Sequence, residues 1–225
     1  DTGKPDHEAQ FLADVFSLVE PDDVRWVFIT HDDIDHTGNL DALLAACPNA
    51  TVVVNWYLAE RMGPTLGAPP SRQRWVGDGE SFDVGARTLH AVRPPVYDSP
   101  TTRGLFDPTT GVYWASDAFG TPMPPPAPVR HVADLDPAFW DEGVATFSQY
   151  LAPWITLVDD RRYQASIDRI AALAPSVLVA CHSPIVERQQ VDRALDTVRR
   201  APSATVAPQP GQDVLEMIQQ ATALC

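Results

Sequence analysis

His31-Asp32-Asp33-Ile34-Asp35-His36, continued by Thr37-Gly38-Asn39, puts two imidazoles and three carboxylates into six residues. It directly follows the apolar run Val24-Arg25-Trp26-Val27-Phe28-Ile29-Thr30, which reads as a buried strand. Ionisable groups gathered at the end of a buried strand are costly unless something pairs with them, and a metal ion is the usual partner. On an extended segment residues 31, 33 and 35 project one way and His36 closes the group, a geometry able to wrap two cations. An acidic loop capping the next helix, with Asp35 or Thr37 near its N-cap, accounts for one acidic residue but not for two histidines flanking three aspartates.

Outward from this loop, strands and helices alternate. Upstream, Phe11, Leu12, Val15, Phe16 and Val19 form a helical stripe between His7 and Glu20, stopped by Pro21. Downstream, the pattern predicts a helix over 38–46, a buried strand at Thr51-Val-Val-Val and a helix over 55–62. The middle turns to β: a hairpin from Ser81 to Val92 around Gly85, then short strands at Gly104-Leu-Phe and Gly111-Val-Tyr-Trp-Ala, joined by Asp107-Pro-Thr-Thr. Met123 to Val129 reads as a rigid proline-rich loop. Helices near 137–151 and 160–174, a buried strand at Val177-Leu-Val-Ala-Cys and helices near 187–200 and 212–223 complete the chain. The order is α/β in both halves with a β-rich centre, which suggests helices layered around sheets in a single domain over residues 1–225.

Composition narrows the function. A net charge of -14 and a pI near 4.6 repel phosphate backbones and anionic lipid, so neither nucleic acid nor a membrane is an expected partner. No apolar run approaches the roughly 18 residues that span a bilayer, and the expected location is cytoplasmic. The three cysteines, Cys47, Cys181 and Cys225, have no Cys-x-x-Cys spacing, which argues against a disulfide framework or a thiolate zinc site. Cys181 reads as a buried strand cysteine.

Three further strand ends carry a polar group. Val112 to Ser116 runs into Asp117, Val177 to Cys181 into His182, and Arg93-Pro-Pro-Val-Tyr97 into Asp98. Strand ends are where α/β proteins build sites. Singly, Asp98 also suits a turn, Asp117 a cap and His182 the core. Trp56, Tyr57, Tyr97 and Trp114 are candidate pocket walls, although scattered aromatics more often serve the core.

Taken in order, these pieces resemble the metallo-β-lactamase superfamily. Asp1-Thr2-Gly3 looks like its early strand end, Thr30-His31 to Gly38 like its metal-binding loop, Ala115-Ser116-Asp117 like the strand bearing its bridging aspartate, and Cys181-His182-Ser183-Pro184 like its last histidine. The implied fold is a four-layer αββα sandwich. The family pattern has two or three strands before Asp1-Thr2-Gly3, so the first strands are expected to be missing. Within the superfamily the chain resembles the flavodiiron branch, whose loop reads His-x-Glu-x-Asp-His; Asp33 takes the glutamate slot. Asp117-Ala118-Phe119-Gly120 and the Ala174-Pro175-Ser176 to Ile185 segment are also similar to that branch. Asp98 falls where a third histidine is usual; some diiron oxygenases of this fold also carry a carboxylate there.

The resemblance implies two metal ions, one held by His31, Asp33, Asp98 and Asp117, the other by Asp35, His36, Asp117 and His182. Asp35 is the implied catalytic carboxylate. Asp33 is one methylene shorter than glutamate, so it reaches its ion directly or through a water. Carboxylates with imidazoles suit iron or manganese better than zinc, although zinc fits the same cage. The leading expectation is a diiron oxidoreductase or oxygenase acting on dioxygen or a related diatomic, with an external electron donor and no organic cofactor in this chain. The alternatives are a metal-dependent hydrolase of a small ester, lactone, thioester or phosphoester, and a non-enzymatic diiron oxygen sensor. A homo-oligomer is compatible with either.

Overall fold

The computed structural model describes residues 1–121, 123 and 129–222 of the chain. The first half holds α1 (Glu8–Phe16), β1 (Trp26–Phe28), α2 (Ile34–Thr37), α3 (Leu40–Ala46), β2 (Thr51–Val54), α4 (Trp56–Met62) and β3 (Gln73–Trp75). The centre holds β4 (Ser81–Asp83), β5 (Thr88–Val92), β6 (Gly104–Asp107) and β7 (Val112–Trp114). The last part holds α5 (Pro137–Leu151), α6 (Asp160–Ala172), β8 (Val177–Val179), β9 (Val186–Glu187), α7 (Arg188–Arg200) and α8 (Gln212–Thr222).

Two sheets result. One is parallel with order β1-β2-β3; the other has order β4-β5-β6-β7-β8-β9, antiparallel except where β7 runs parallel to β8. The β-branched run of β2 shows how they stack. Val52 and Val54 face a core shared with Leu40, Leu43, Leu44 and Leu58, whereas Val53 faces the opposite way, toward Phe82 and Ala91 of the second sheet. The second sheet likewise turns Leu105 toward the first sheet and Phe106, Tyr113 and Leu178 toward Trp140, Ile167 and Val198 of the later helices. The layers are therefore helices, sheet, sheet, helices, the αββα sandwich expected from the sequence.

Local signals fix the helix ends. Asn55 caps α4 by accepting from Leu58 N (3.1 Å), and Asp136 caps α5 by accepting from Ala138 N and Phe139 N, with Pro137 at the first helical position. Asp159 caps α6 through Arg162 N. Ala174, at φ +49, and Pro175 follow the end of α6.

Several boundaries differ from the sequence reading. The first helix stops at Phe16, the first strand covers only 26–28, and helix 38–46 begins at Leu40. Residues 34–37 are helical, so 31, 33 and 35 do not lie on one extended segment; Asp35 and His36 reach the site from the turn of α2. β3 and β9 had no legible pattern, being three and two residues long. Apart from Met123 and Val129, the proline-rich stretch 123–129 lies outside the described residues, as does residue 223 at the end of the last predicted helix.

The connections that matter leave one edge of the sandwich. β5, β7 and β8 run the same way, and the segments after them carry Asp98, Asp117 and His182. The end of β1 is tied to the same edge: Ile29 N donates to Val53 O and Arg103 N to Thr30 O. Gly38 closes this edge against residues 1–5. Its N–H donates to Gly3 O at 3.0 Å, and a Cβ there would lie 2.6 Å from Gly3 O and Pro5 N, so no other residue fits without moving the chain.

Candidate metal centre

Asp117 sits at the middle of the cluster, on a turn with an unusual backbone. Ser116 (φ 57) and Phe119 (φ 68) both adopt the left-handed conformation that side chains disfavour. The turn is held by Cys181 N donating to Ser116 O and Thr121 N donating to His182 O, which also fixes the segment bearing His182.

The two oxygens of Asp117 face different partners. Oδ2 lies 3.4 Å from His31 Nε2; Oδ1 lies 3.1 Å from His36 Nε2 and 3.4 Å from His182 Nε2. On the Oδ2 side, His31 Nε2 is 3.8 Å from both Asp33 Oδ2 and Asp98 Oδ1. On the Oδ1 side, Asp35 Oδ2 is 3.4 Å from His182 Nε2 and 3.8 Å from His36 Nε2. His31, Asp33 and Asp98 thus form one group of ligand atoms and Asp35, His36 and His182 another, each within 4.8 Å of one another. Ligand atoms each about 2.1 Å from a common ion are separated by roughly 3 to 3.5 Å, close to these spacings. Among these residues, Asp33 is the most exposed, with 52% of its side-chain surface accessible. It occupies the N-cap of α2, yet its carboxylate makes no cap hydrogen bond, so helix capping does not account for it.

The imidazoles are oriented from behind. Thr30 Oγ1 donates to Asp1 Oδ2, and Ser116 Oγ donates to Thr30 Oγ1, so both hydroxyl protons are spent. His31 Nδ1, 3.0 Å from Thr30 Oγ1 and 3.2 Å from Ser116 Oγ, is left to act as the donor, and its Nε2 presents a lone pair to the cluster. His36 Nδ1 lies 3.3 Å from Asp1 Oδ2, which similarly turns Nε2 inward. His31 Nε2, His36 Nε2 and Asp117 Oδ1 are all buried without a hydrogen-bond partner. An unpartnered buried polar atom costs about 1–3 kcal/mol; three of them in one cluster of ligand-type residues is an arrangement that bound cations relieve.

The electrostatics are those of a crowded cluster. Burial opposes ionisation of Asp117, but its contacts with His182 and His36 outweigh burial and hold its carboxyl well below the usual range. Burial also opposes protonation of His36, yet Asp117 and Cys181 push that imidazole up to about 10. Burial and the adjacent His36, whose ring centroid is 3.9 Å away, lower His31. Burial raises Asp98. Without a cation, Asp117 on one side of the His36 ring and Asp1 on the other favour its protonated form, and a metal must displace that proton.

Several supporting residues were not legible as site residues. Asp1 matters most: its Oδ1 accepts from Thr30 N at 2.7 Å, while Oδ2 meets Thr30 Oγ1, His36 Nδ1 and Trp114 Nε1. Asp32 turns away from the cluster. It pairs with Arg61 and accepts from Ser99 Oγ and Thr101 Oγ1, tying the His31 loop to the segment beside Asp98. Cys181 is not sealed in the core as its strand position suggests; it is half-buried, with its thiol 3.4 Å from Asp1 Oδ2 and 3.6 Å from His36 Nδ1. Asp98 also behaves as a turn former, since Oδ1 accepts from Ser99 N. Of the four aromatics, Trp114 lines a cavity of about 370 Å³ with Lys4, His7, Asp35 and His182; Trp56 and Tyr57 stack on each other at the surface, and Tyr97 packs on Trp154.

Residues 1–182 match the metallo-beta-lactamase superfamily. The type A flavoprotein fprA of Rhodobacter capsulatus is 26% identical over 219 residues, covering 95% of this chain and 47% of the relative. The solved rubredoxin oxygen:oxidoreductase from Desulfovibrio gigas superposes with a TM-score of 0.74 at 18% identity, covering 90% of this chain and 50% of that one. A structure described as a peroxy diiron species of the chemotaxis sensor ODP superposes with a TM-score of 0.72 at 16% identity, covering 97% of this chain and 84% of that one. At these identities the structural likeness is one of fold. The chain spans less than half the length of the curated relatives it matches.

Proposed function

The chain belongs to the metallo-beta-lactamase superfamily, and from that premise we propose that residues 1–225 form a dinuclear non-haem metal unit, with iron ahead of manganese or zinc, that binds or reduces dioxygen or a related diatomic. The observation that carries this reading is the division of the Asp117 carboxylate, Oδ2 toward His31 and Oδ1 toward His36 and His182. A carboxylate so placed would be shared between two ions, one held with His31 and the other with His36 and His182.

The donor set supports the choice of metal. His31, Asp33 and Asp98 with Asp117 would hold one ion; Asp35, His36 and His182 with Asp117 the other. Four carboxylates balance two divalent charges, and an oxygen-rich set with imidazole suits iron or manganese. Iron bound there would supply electrons to a diatomic ligand. The protein's own groups set the conditions. Asp1, Thr30 and Ser116 hold the ring tautomers, His31 and Asp117 are themselves buried from water, and Asp35, on the cavity wall beside His182, would be the carboxylate that takes up or delivers a proton. Electrons would come from a donor outside residues 1–225, as the name of the relative rubredoxin-oxygen oxidoreductase of Megalodesulfovibrio gigas suggests for that protein.

The test is elemental analysis of protein prepared without oxygen, followed by mixing the reduced protein with dioxygen or nitric oxide. Two irons per chain and consumption of the gas are expected. Two zinc ions, no reaction with either gas and turnover of esters or lactones would replace this reading with a hydrolase.

A further inference from the structure

A second cavity, of about 320 Å³, lies between the loop after β5 and the start of α6. Its aromatic wall is Tyr97 and Trp154, with ring centroids 4.8 Å apart and Trp154 Nε1 donating to Tyr97 O at 2.9 Å. The Arg93 guanidinium lies over the Tyr97 ring, 4.9 Å from its centroid. Pro94, Pro95 and Val158 add apolar lining beside it.

The charge around this cavity runs against that of the chain. In a protein of net charge -14, four guanidiniums, those of Arg93, Arg103, Arg162 and Arg169, gather here against the carboxylates of Asp78 and Asp159. Both carboxylates are committed. Asp78 accepts from Arg169 and from Arg93 N, and Asp159 caps α6 through Arg162 N. The Arg162 guanidinium has no ion pair or hydrogen bond among the described residues, whereas the Arg93 guanidinium donates through Nη2 to Pro100 O at 2.8 Å and leaves its buried Nε without a partner. Burial and the neighbouring Arg93 also lower the pKa of Arg103. Solvated surface arginine explains Arg162 alone. It does not explain four guanidiniums gathered beside a preformed aromatic wall in so acidic a chain.

We infer that this cavity is a ligand site, distinct from the metal cluster, for a small planar aromatic anion bearing a carboxylate or a phosphate. The ring packs against Tyr97 and Trp154, and the anion meets the Arg93 and Arg162 guanidiniums, whose forked donors match both oxyanions. The volume sits at the low end of small-molecule pockets, roughly 300–1,000 Å³, which limits the ligand to one or two fused rings. The inference does not depend on the identity of the metal or on the proposed chemistry.

The test is calorimetric titration of the metal-loaded chain with 1-naphthoate, 1-naphthyl phosphate and the neutral 1-naphthylmethanol. Saturable one-to-one binding of at least one anion is expected, with the alcohol weaker by about tenfold or more, the order of one charge-assisted hydrogen bond; the tighter anion identifies the natural head group. Arg162→Glu should weaken anion binding by a similar factor and leave alcohol binding unchanged. Ser166→Trp, which puts an indole among the lining residues, should abolish binding of all three. Both variants should keep the wild-type metal content and melting temperature, and if Ser166→Trp does not fold, the exposed Arg162→Glu carries the test. Absence of saturable binding, affinity unchanged by Arg162→Glu, or binding lost on removing the metals would overturn the inference.

Discussion

Asp1 and His36 are joined through the side of the imidazole that faces away from the cluster: Asp1 Oδ2 lies 3.3 Å from His36 Nδ1, while Nε2 across the ring lies 3.1 Å from Asp117. The carboxylate holds the tautomer that leaves Nε2 free to bind a cation. It does so while also accepting from Thr30 and Trp114, so one side chain orients parts of both sheets. A carboxylate behind a ligating histidine fixes its orientation and raises its basicity.

Asp1→Ala should therefore weaken metal binding without removing a ligand. The expected loss is about 10–100-fold in affinity, measured by competition with a chromogenic chelator. Affinity equal to wild type would reduce Asp1 to a packing residue.

Asp117→Ala should lose both ions rather than one, because each half of the cluster is closed by a different oxygen of the same carboxylate. The check is metal stoichiometry after desalting. Retention of two equivalents would show that Asp117 bridges nothing.

Asp98 decides the character of the His31 half. Asp98→Ala should empty that half and leave Asp35, His36, Asp117 and His182 to hold one ion. Asp98→His should shift the bound metal toward zinc, since imidazole replaces a hard anionic oxygen. Elemental analysis of wild type and both variants loaded from one mixed-metal medium measures this. Identical metal content in all three would leave Asp98 only its turn contact with Ser99, worth about 1 kcal/mol.

Asp141 clamps α5 to α7, accepting from Arg193 Nε and Nη2 and from Thr197 Oγ1. Burial pushes its carboxyl up, but these donors outweigh burial and hold it below the ordinary carboxylate value. A carboxylate with a depressed folded pKa stabilises the protein above its unfolded pKa, about 3.9, and loses that contribution as pH falls through the folded value. Asp141→Asn should cost about 1 kcal/mol at pH 7, with the difference narrowing below pH 4. Urea denaturation at both pH values tests it; a gap that does not change with pH would contradict the assignment.

Much of the architecture was readable because its signals are local. The β-branched run 51–54 and the turn at Asp107 to Thr110 each specify their element within a few residues, and the structure has those elements there. The short strands β3 and β9 were not readable. They exist through pairing with β2 and β8, and a run of two or three residues carries no periodicity of its own. The expectation that 31, 33 and 35 share an extended face failed for a related reason: the first turn of α2 begins at Ile34, and nothing in the charge pattern marks that start.

By itself the sequence determined the donor types and their positions at strand ends, since which residues can ligate a metal is a property of side-chain chemistry and order along the chain. Only the tertiary structure decided how those donors are divided and supported. The facing of Asp117 toward His31 on one side and His36 on the other, the hydroxyl relay from Ser116 through Thr30 to Asp1, and the turning of Asp32 away to Ser99 and Thr101 join segments from 29 to 86 residues apart. Hydrogen bonds of that reach depend on where two sheets meet, and no local pattern of polarity encodes the distance between them.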